Sequence, residues 1–216
     1  MKEPFVAGRY YHVFNRGNDG IDLFKSEDDY NHFLELYLIY ANPFLETLSW
    51  CLMKNHYHFC VRIKRFEEIG CFDKRSRWAN DLSDKWRLFQ RNDIPEEYQI
   101  SPNPLRMLNF MFDAYSKYFN FKYKRTGVLF ERGIERRLVE NNDYLIELIL
   151  YIHNNPVKHR ITPTPDLYYW SSYNEILKGS SVFCNSRQII KLFDSEENFI
   201  YAHKAKFSDD SAWSDY

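Results

Sequence analysis

Two histidines two residues apart, His56 and His58 in "CLMKNHYHFCVRIK", stand at the head of an alternating apolar run. Along a strand, successive side chains point to opposite faces. Tyr57, Phe59, Val61 and Ile63 therefore share one face, and His56, His58, Cys60 and Arg62 share the other. Two neutral imidazoles projecting side by side are close enough to ligate one metal ion. Taken alone, an HxH pair is more often two incidental histidines on an exposed strand. A closed structural zinc site would need four ligands, and Cys60 is the only thiol nearby, so the pattern favours an open divalent-metal site. A second group lies in "NNDYLIELILYIHNNPVKHR". There Leu145, Leu148, Ile149 and Ile152 form an apolar helical stripe, while Tyr144, Glu147, Tyr151 and Asn155 fall on another side of the cylinder. A tyrosine in such a place ordinarily packs. Asn155 changes the reading: one turn after Tyr151, its amide oxygen can complete a metal site while the phenol addresses a phosphate held there.

Those side chains need a scaffold, and its order is readable. "RYYHVFNRGNDG" from Arg9 alternates and ends in a turn signal, as a first strand does. In "SEDDYNHFLELYLIYANP", Ser26 is the expected N-cap, acids fill the first turn, and Phe33, Leu34, Leu36, Tyr37 and Tyr40 supply an apolar stripe that Pro43 closes. "LETLSWCLM" and "HYHFCVRI" are strands separated by Lys54-Asn55, a hairpin. A long helix follows from Leu105 towards Gly127, then "VLFERGIERRLV" with a bend at Gly133, then the tyrosine helix, capped by Asn142 or Asp143 and halted near Pro156. The order βαββαβ predicts an α+β, ferredoxin-like (split βαβ) antiparallel sheet with helices on one face, the other face left free, and an extra tyrosine-bearing helix. Residues 1–165 read as one domain with an irregular insertion at 65–103. Residues 166–216 read as a C-terminal extension with a frayed acidic tail.

Composition narrows the partners. Lys+Arg 29 against Asp+Glu 30 gives a net charge of -1, so any nucleic-acid footprint must be local. One segment qualifies. "KYFNFKYKRTGVLFERGIERR" carries Lys117, Lys122, Lys124, Arg125, Arg132, Arg136 and Arg137 against Glu131 and Glu135. Tyr118, Phe119, Phe121 and Tyr123 interleave as candidate base-stacking surfaces, and Lys158, His159 and Arg160 extend the patch. The aromatic share is 19%, high for a soluble chain. The four cysteines form no CxxC pair, and neither a signal peptide nor an apolar run of roughly 20 residues is present. The expectation is a soluble protein with free thiols in a reducing cytoplasm.

Taken together, "YYHVFNRGNDG", "CLMKNHYHF", "YSKYFNFKYKRTGVLF", "VENNDYLIELILYIHNNPVKHRI" and "YYWSSY" resemble, in family order over roughly Arg9 to Tyr173, the HUH single-tyrosine transposases and most closely their REP-associated branch. The resemblance implies the HUH endonuclease fold, with His56 and His58 as metal ligands, Asn155 as the third and Tyr151 as the catalytic nucleophile. It implies Mg²⁺ or Mn²⁺ as cofactor and single-stranded DNA beside an imperfect hairpin as substrate. It also implies no membrane partner and a bacterial, cytoplasmic, nucleoid-associated location. Nicking and strand transfer would pass through a 5′-phosphotyrosine. A monomer using its own tyrosine is expected over a homodimer. Two competing functions remain: a domesticated hairpin-binding module without transposition, and a metal-dependent hydrolase with a water nucleophile in which Tyr151 is structural. Lys54 stands where the family often has proline. "GVLFERGIERR" and the long 65–103 segment also depart from its pattern, where DNA recognition would lie.

Overall fold

The computed structural model describes residues 4–78, 88–131 and 133–207. The main elements run β1 (Tyr10–Arg16), α1 (Glu27–Tyr40), β2 (Leu45–Met53), β3 (His56–Ile63), β4 (Phe72–Asp73), β5 (Gln99–Ile100), α2 (Pro104–Lys122), β6 (Glu135–Val139), α3 (Asn142–Lys158), α4 (Tyr173–Leu177), α5 (Ser186–Leu192) and α6 (Glu196–Phe207). The four-stranded sheet has the order β2-β3-β1-β6, every neighbouring pair antiparallel. β3 is inserted between β1 and β2, and β1 between β3 and β6. Two βαβ units thus interleave, the ferredoxin-like arrangement.

α1 starts where a capping box dictates. The Asp29 carboxylate accepts from the Ser26 N–H at 3.0 Å and the Lys25 N–H at 2.8 Å. The same carboxylate, wholly buried, accepts from Lys122 Nζ at 2.8 Å and from the Tyr123 and Tyr118 hydroxyls at 2.7 and 3.2 Å, which ties the start of α1 to the end of α2. Both helices cover the apolar face of β3. Tyr37 stacks on Phe59 with ring centroids 4.5 Å apart, Phe33 meets Tyr57 at 5.4 Å, and Phe112 stacks on Tyr57 at 5.5 Å. At the end of β1 the chain turns so closely that a Cβ on Gly17 would lie 2.0 Å from the Ile21 carbonyl oxygen.

Several expectations need correction. The sheet face that carries the histidines is not open, because α3 packs across β2 and β3 on that side. α6 lies against α3 in turn, and every α3 residue from Leu148 to Val157 is buried. The second side reads as polar in sequence because its buried residues include His153, Asn154 and Asn155, which find hydrogen-bond partners inside the fold. The α3 cap is Asn141, whose side chain accepts from the Tyr144 N–H at 2.8 Å. Pro156 does not halt the helix, which runs on to Lys158; in the last turn its ring removes one hydrogen bond without blocking the exit. α2 ends at Lys122 rather than near Gly127.

The extension shares the domain's core through Tyr173, Ile176, Ile189, Phe193 and Phe199. Residues 170–172 run along the outer edge of β2, with the Leu52 N–H donating to the Trp170 carbonyl at 2.9 Å and the Ser172 N–H to the Trp50 carbonyl at 3.0 Å. That strand edge is thereby covered. Of the insertion, short turns and the two-stranded β4–β5 pair are described. The acidic tail beyond residue 207 lies outside the described residues.

Candidate functional site

Antiparallel register brings the polar side chains of three strands onto the α3 face. His58 lies opposite Phe14, His56 opposite Arg16 and Cys60 opposite His12, while His12 also faces Arg137 of β6. His12 thus joins the predicted pair: its Nε2 lies 2.9 Å from His58 Nδ1. Sequence reasoning missed it. Its place in "RYYHVFN" shows the strand parity, but only the β1–β3 register reveals that it meets His58.

α3 supplies the other half. Tyr151 is 4% exposed, and its ring stands edge-on to His58 at 5.4 Å and to His12 at 5.9 Å. One turn later the Asn155 Oδ1 lies 3.1 Å from His56 Nε2, while His56 Nδ1 lies 2.8 Å from the Asn55 Oδ1 at the hairpin corner. At the helix end the Lys158 ammonium sits 5.4 Å from the Tyr151 ring centre, and the His159 ring lies 5.2 Å from that of His56. Residues predicted from three separate stretches, His56, His58, Tyr151, Asn155 and Lys158, therefore converge, and within one chain.

Burial sets the protonation of this group. It pushes His56 down to about 4, against a smaller upward pull from the Asn155 hydrogen bond, and it pushes His58 well below the ordinary imidazole range. Burial, with the Arg137 charge, pushes His12 to about 3, and burial also lowers His159. The histidines are therefore neutral at pH 7 and keep lone pairs. A neutral imidazole carries one N–H, yet both nitrogens of His56 face amide oxygens, so one of those contacts has no proton in it. The Asn155 Nδ2 is buried without a partner among the described residues. If the proton of His56 sits on Nδ1, facing Asn55, the Nε2 lone pair and the Asn155 oxygen 3.1 Å away would together suit a shared divalent cation. No group of three His, Cys, Asp or Glu converges among the described residues, so a metal here would rest on two histidines and an amide.

The predicted basic segment is divided by the fold. Arg137 lies on the histidine face, and alternation sends Arg136 to the other, where its guanidinium sits 5.1 Å from the Phe5 ring centre. Lys122 is held by Asp29. Arg125 closes the turn after α2, donating to Asn120 Oδ1 at 2.9 Å and to the Val128 carbonyl at 2.6 Å. Lys117 and Lys124 are exposed, and Arg132 lies outside the described residues. Among the interleaved aromatics, Phe119 is core, Tyr118 and Tyr123 bond Asp29, and Phe121 is 88% exposed.

No protein-family model and no curated protein matches the sequence. The solved structures give a different result: the fold is similar to that of a tyrosine transposase. The structure of a REP-associated tyrosine transposase bound to a REP hairpin aligns with a TM-score of 0.50 at 12% identity, over 85% of this chain and 88% of that one. At that identity the likeness is one of fold. A bacterial tRNA(His) guanylyltransferase-like protein in complex with ATP aligns at a TM-score of 0.37 and 9% identity, over 91% of this chain and 74% of that one, too low to carry an argument. No helix among the described residues is long and apolar enough to cross a membrane.

Proposed function

We propose that this protein is a metal-dependent single-strand DNA nickase and strand transferase acting beside an imperfect hairpin, with Tyr151 as nucleophile. The observation that carries the reading is the contact of the Tyr151 ring with the chain's own His58, on a sheet whose fold is similar to that of a hairpin-bound tyrosine transposase. His56, His58 and the Asn155 amide oxygen would hold a divalent cation, Mg²⁺ or Mn²⁺. When bound, that cation supplies positive charge at the scissile phosphate.

The chain's own residues do the rest. Lys158 and Arg137, beside Tyr151 and His12, draw the phosphate in. The Tyr151 oxygen attacks phosphorus and loses its phenol proton to solvent, an O–P bond forms, the bond to the 3′ oxygen breaks, and that oxygen takes up a proton, leaving a 3′-OH and a 5′-phosphotyrosine. A second 3′-OH reverses the step onto a new strand, with no external energy source. The meeting of the tyrosine and histidines within one chain supports a monomer as the cleaving unit.

Incubation of labelled single-stranded hairpin DNA with Mn²⁺ tests this. A protein–DNA adduct that survives SDS is expected for the native chain and none for Tyr151→Phe, with hairpin affinity retained. Binding without cleavage would point to a hairpin-binding module, and cleavage without an adduct to a water nucleophile.

A further inference from the structure

His12 belongs to none of the predicted site residues, yet it is the closest polar neighbour that His58 has among the hydrogen bonds of the site. The rings of His12 and His58 lie 5.1 Å apart and 24° from coplanar, so the 2.9 Å contact between Nε2 and Nδ1 lies close to both ring planes. Both side chains are buried, and water does not compete for the bond. The arrangement repeats what happens at His56, whose Nδ1 is likewise held, by Asn55 Oδ1 at 2.8 Å. In each histidine Nδ1 is tied back into the protein and Nε2 is the nitrogen left for the site. Resting on the reading of His56 and His58 as metal ligands, we infer that His12 is the positioning residue of His58: it accepts the Nδ1–H of His58 and so keeps His58 Nε2 unprotonated and aimed into the site.

The chemistry requires one direction of this bond. A neutral imidazole has a single N–H, and if His12 donated to His58 Nδ1, the His58 proton would sit on Nε2 and block ligation. With His58 donating, His12 carries its own proton on Nδ1, the nitrogen that has no partner among the described residues. Elsewhere in this protein a histidine pair is fixed differently. His203 Nδ1 faces the Phe199 carbonyl at 2.7 Å, which can only accept, so the direction of the His153–His203 bond is set by the backbone. No carbonyl among the described residues anchors the far side of His12, so its Nε2 stays available to accept from His58 Nδ1. A ligating histidine whose other nitrogen is hydrogen-bonded in this way is held in rotation as well as in tautomer.

The test uses the full chain without DNA. Nitrogen-15 imidazole spectra of the Mg²⁺-loaded native protein are expected to show His58 protonated on Nδ1 and not on Nε2. Mn²⁺ titration followed by paramagnetic resonance is expected to show affinity reduced tenfold or more in His12→Leu, and largely restored in His12→Gln, whose amide oxygen can accept the same proton. A proton on Nε2 of His58 in the loaded protein would overturn the inference, and that measurement needs no variant to fold. Equal Mn²⁺ affinity in a folded His12→Leu would also overturn it while leaving the metal reading intact. A native protein that takes up no Mn²⁺ would bring down the metal reading and this inference together.

Discussion

Lys122 and Lys158 each occupy the last turn of a helix, and their surroundings give them different roles. The Lys122 ammonium is 2.8 Å from the buried Asp29 carboxylate and also donates to Tyr118 and Ser26. Burial alone would raise the Asp29 pKa; the hydrogen bonds from Lys122, Tyr123 and the Lys25 N–H hold it below the usual value. Lys122→Met leaves a buried carboxylate without its cation, an expected loss of about 3 kcal/mol in urea unfolding. Because that charge is already paired, the salt dependence of hairpin binding should stay as it was. Lys158 stands exposed at the end of α3, and burial lowers its pKa beside the Tyr151 ring. Lys158→Ala should change stability by less than about 0.5 kcal/mol. The slope of log affinity against log salt for single-stranded hairpin arms should become shallower by about 0.7, one phosphate contact. If the two variants behaved alike in the salt series, the assignment of Lys158 to DNA would be wrong.

At the scale of elements, the strands and helices that alternate cleanly are legible: β1, α1 with its Ser26 cap, the Lys54-Asn55 hairpin and the start of α2 stand where periodicity puts them. The sheet order follows from the βαββαβ sequence. What stayed illegible depends on contacts between distant segments. Nothing in "LIELILYIHNN" says that α6 will cover the side of α3 opposite the sheet, and nothing in "YYHVF" says that His12 will meet His58. The basic segment read as one patch because linear charge density ignores strand alternation, which separates Arg136 from Arg137, and ignores Asp29, which holds Lys122. The end of α3 was also hidden. There the Ile161 N–H bonds the Pro156 carbonyl at 2.9 Å and the Arg160 N–H the Val157 carbonyl at 2.9 Å, a Schellman closure with Arg160 at φ 58°. A residue with a Cβ is strained in that conformation, and the Arg160 side chain is exposed. Arg160→Gly should therefore stabilise the protein by about 1 kcal/mol, raising the melting temperature by about 3 °C. A lowered melting temperature would show that the Arg160 side chain makes a contribution larger than the strain.

Over the whole molecule, the sheet, the tyrosine helix and the C-terminal extension are joined by one polar chain through the core. The His203 Nδ1–H donates to the Phe199 carbonyl, so His203 Nε2 accepts from the His153 Nδ1–H at 2.9 Å. His153 Nε2 in turn accepts from the Ser172 hydroxyl at 2.7 Å, and the Ser172 oxygen accepts from the Trp50 N–H on β2 at 2.9 Å. Each link works only with neutral imidazoles. Burial pushes His203 down to about 4, and burial with the neighbouring His203 charge pushes His153 well below the ordinary range. Unfolded histidines titrate near 6.5, so between that pH and about 4 the unfolded chain binds protons the folded chain refuses. This contribution to stability is complete above pH 6.5 and is lost as the pH falls towards 4. For His203 alone it amounts to about 2 kcal/mol between pH 6.5 and pH 5, at 1.36 kcal/mol per pH unit. His203→Gln keeps an oxygen to accept from His153 but cannot be protonated. It should be less stable than the native protein at pH 7.5 and recover about 2 kcal/mol of that deficit by pH 5, measured as the difference between paired urea unfolding curves. Carboxylate titrations are common to both proteins and cancel in the difference. A deficit that stays constant with pH would mean that His203 takes up its proton as readily inside the fold as in the unfolded chain, and the neutral, singly protonated imidazoles on which the chain from Phe199 to Trp50 is built would have to be abandoned.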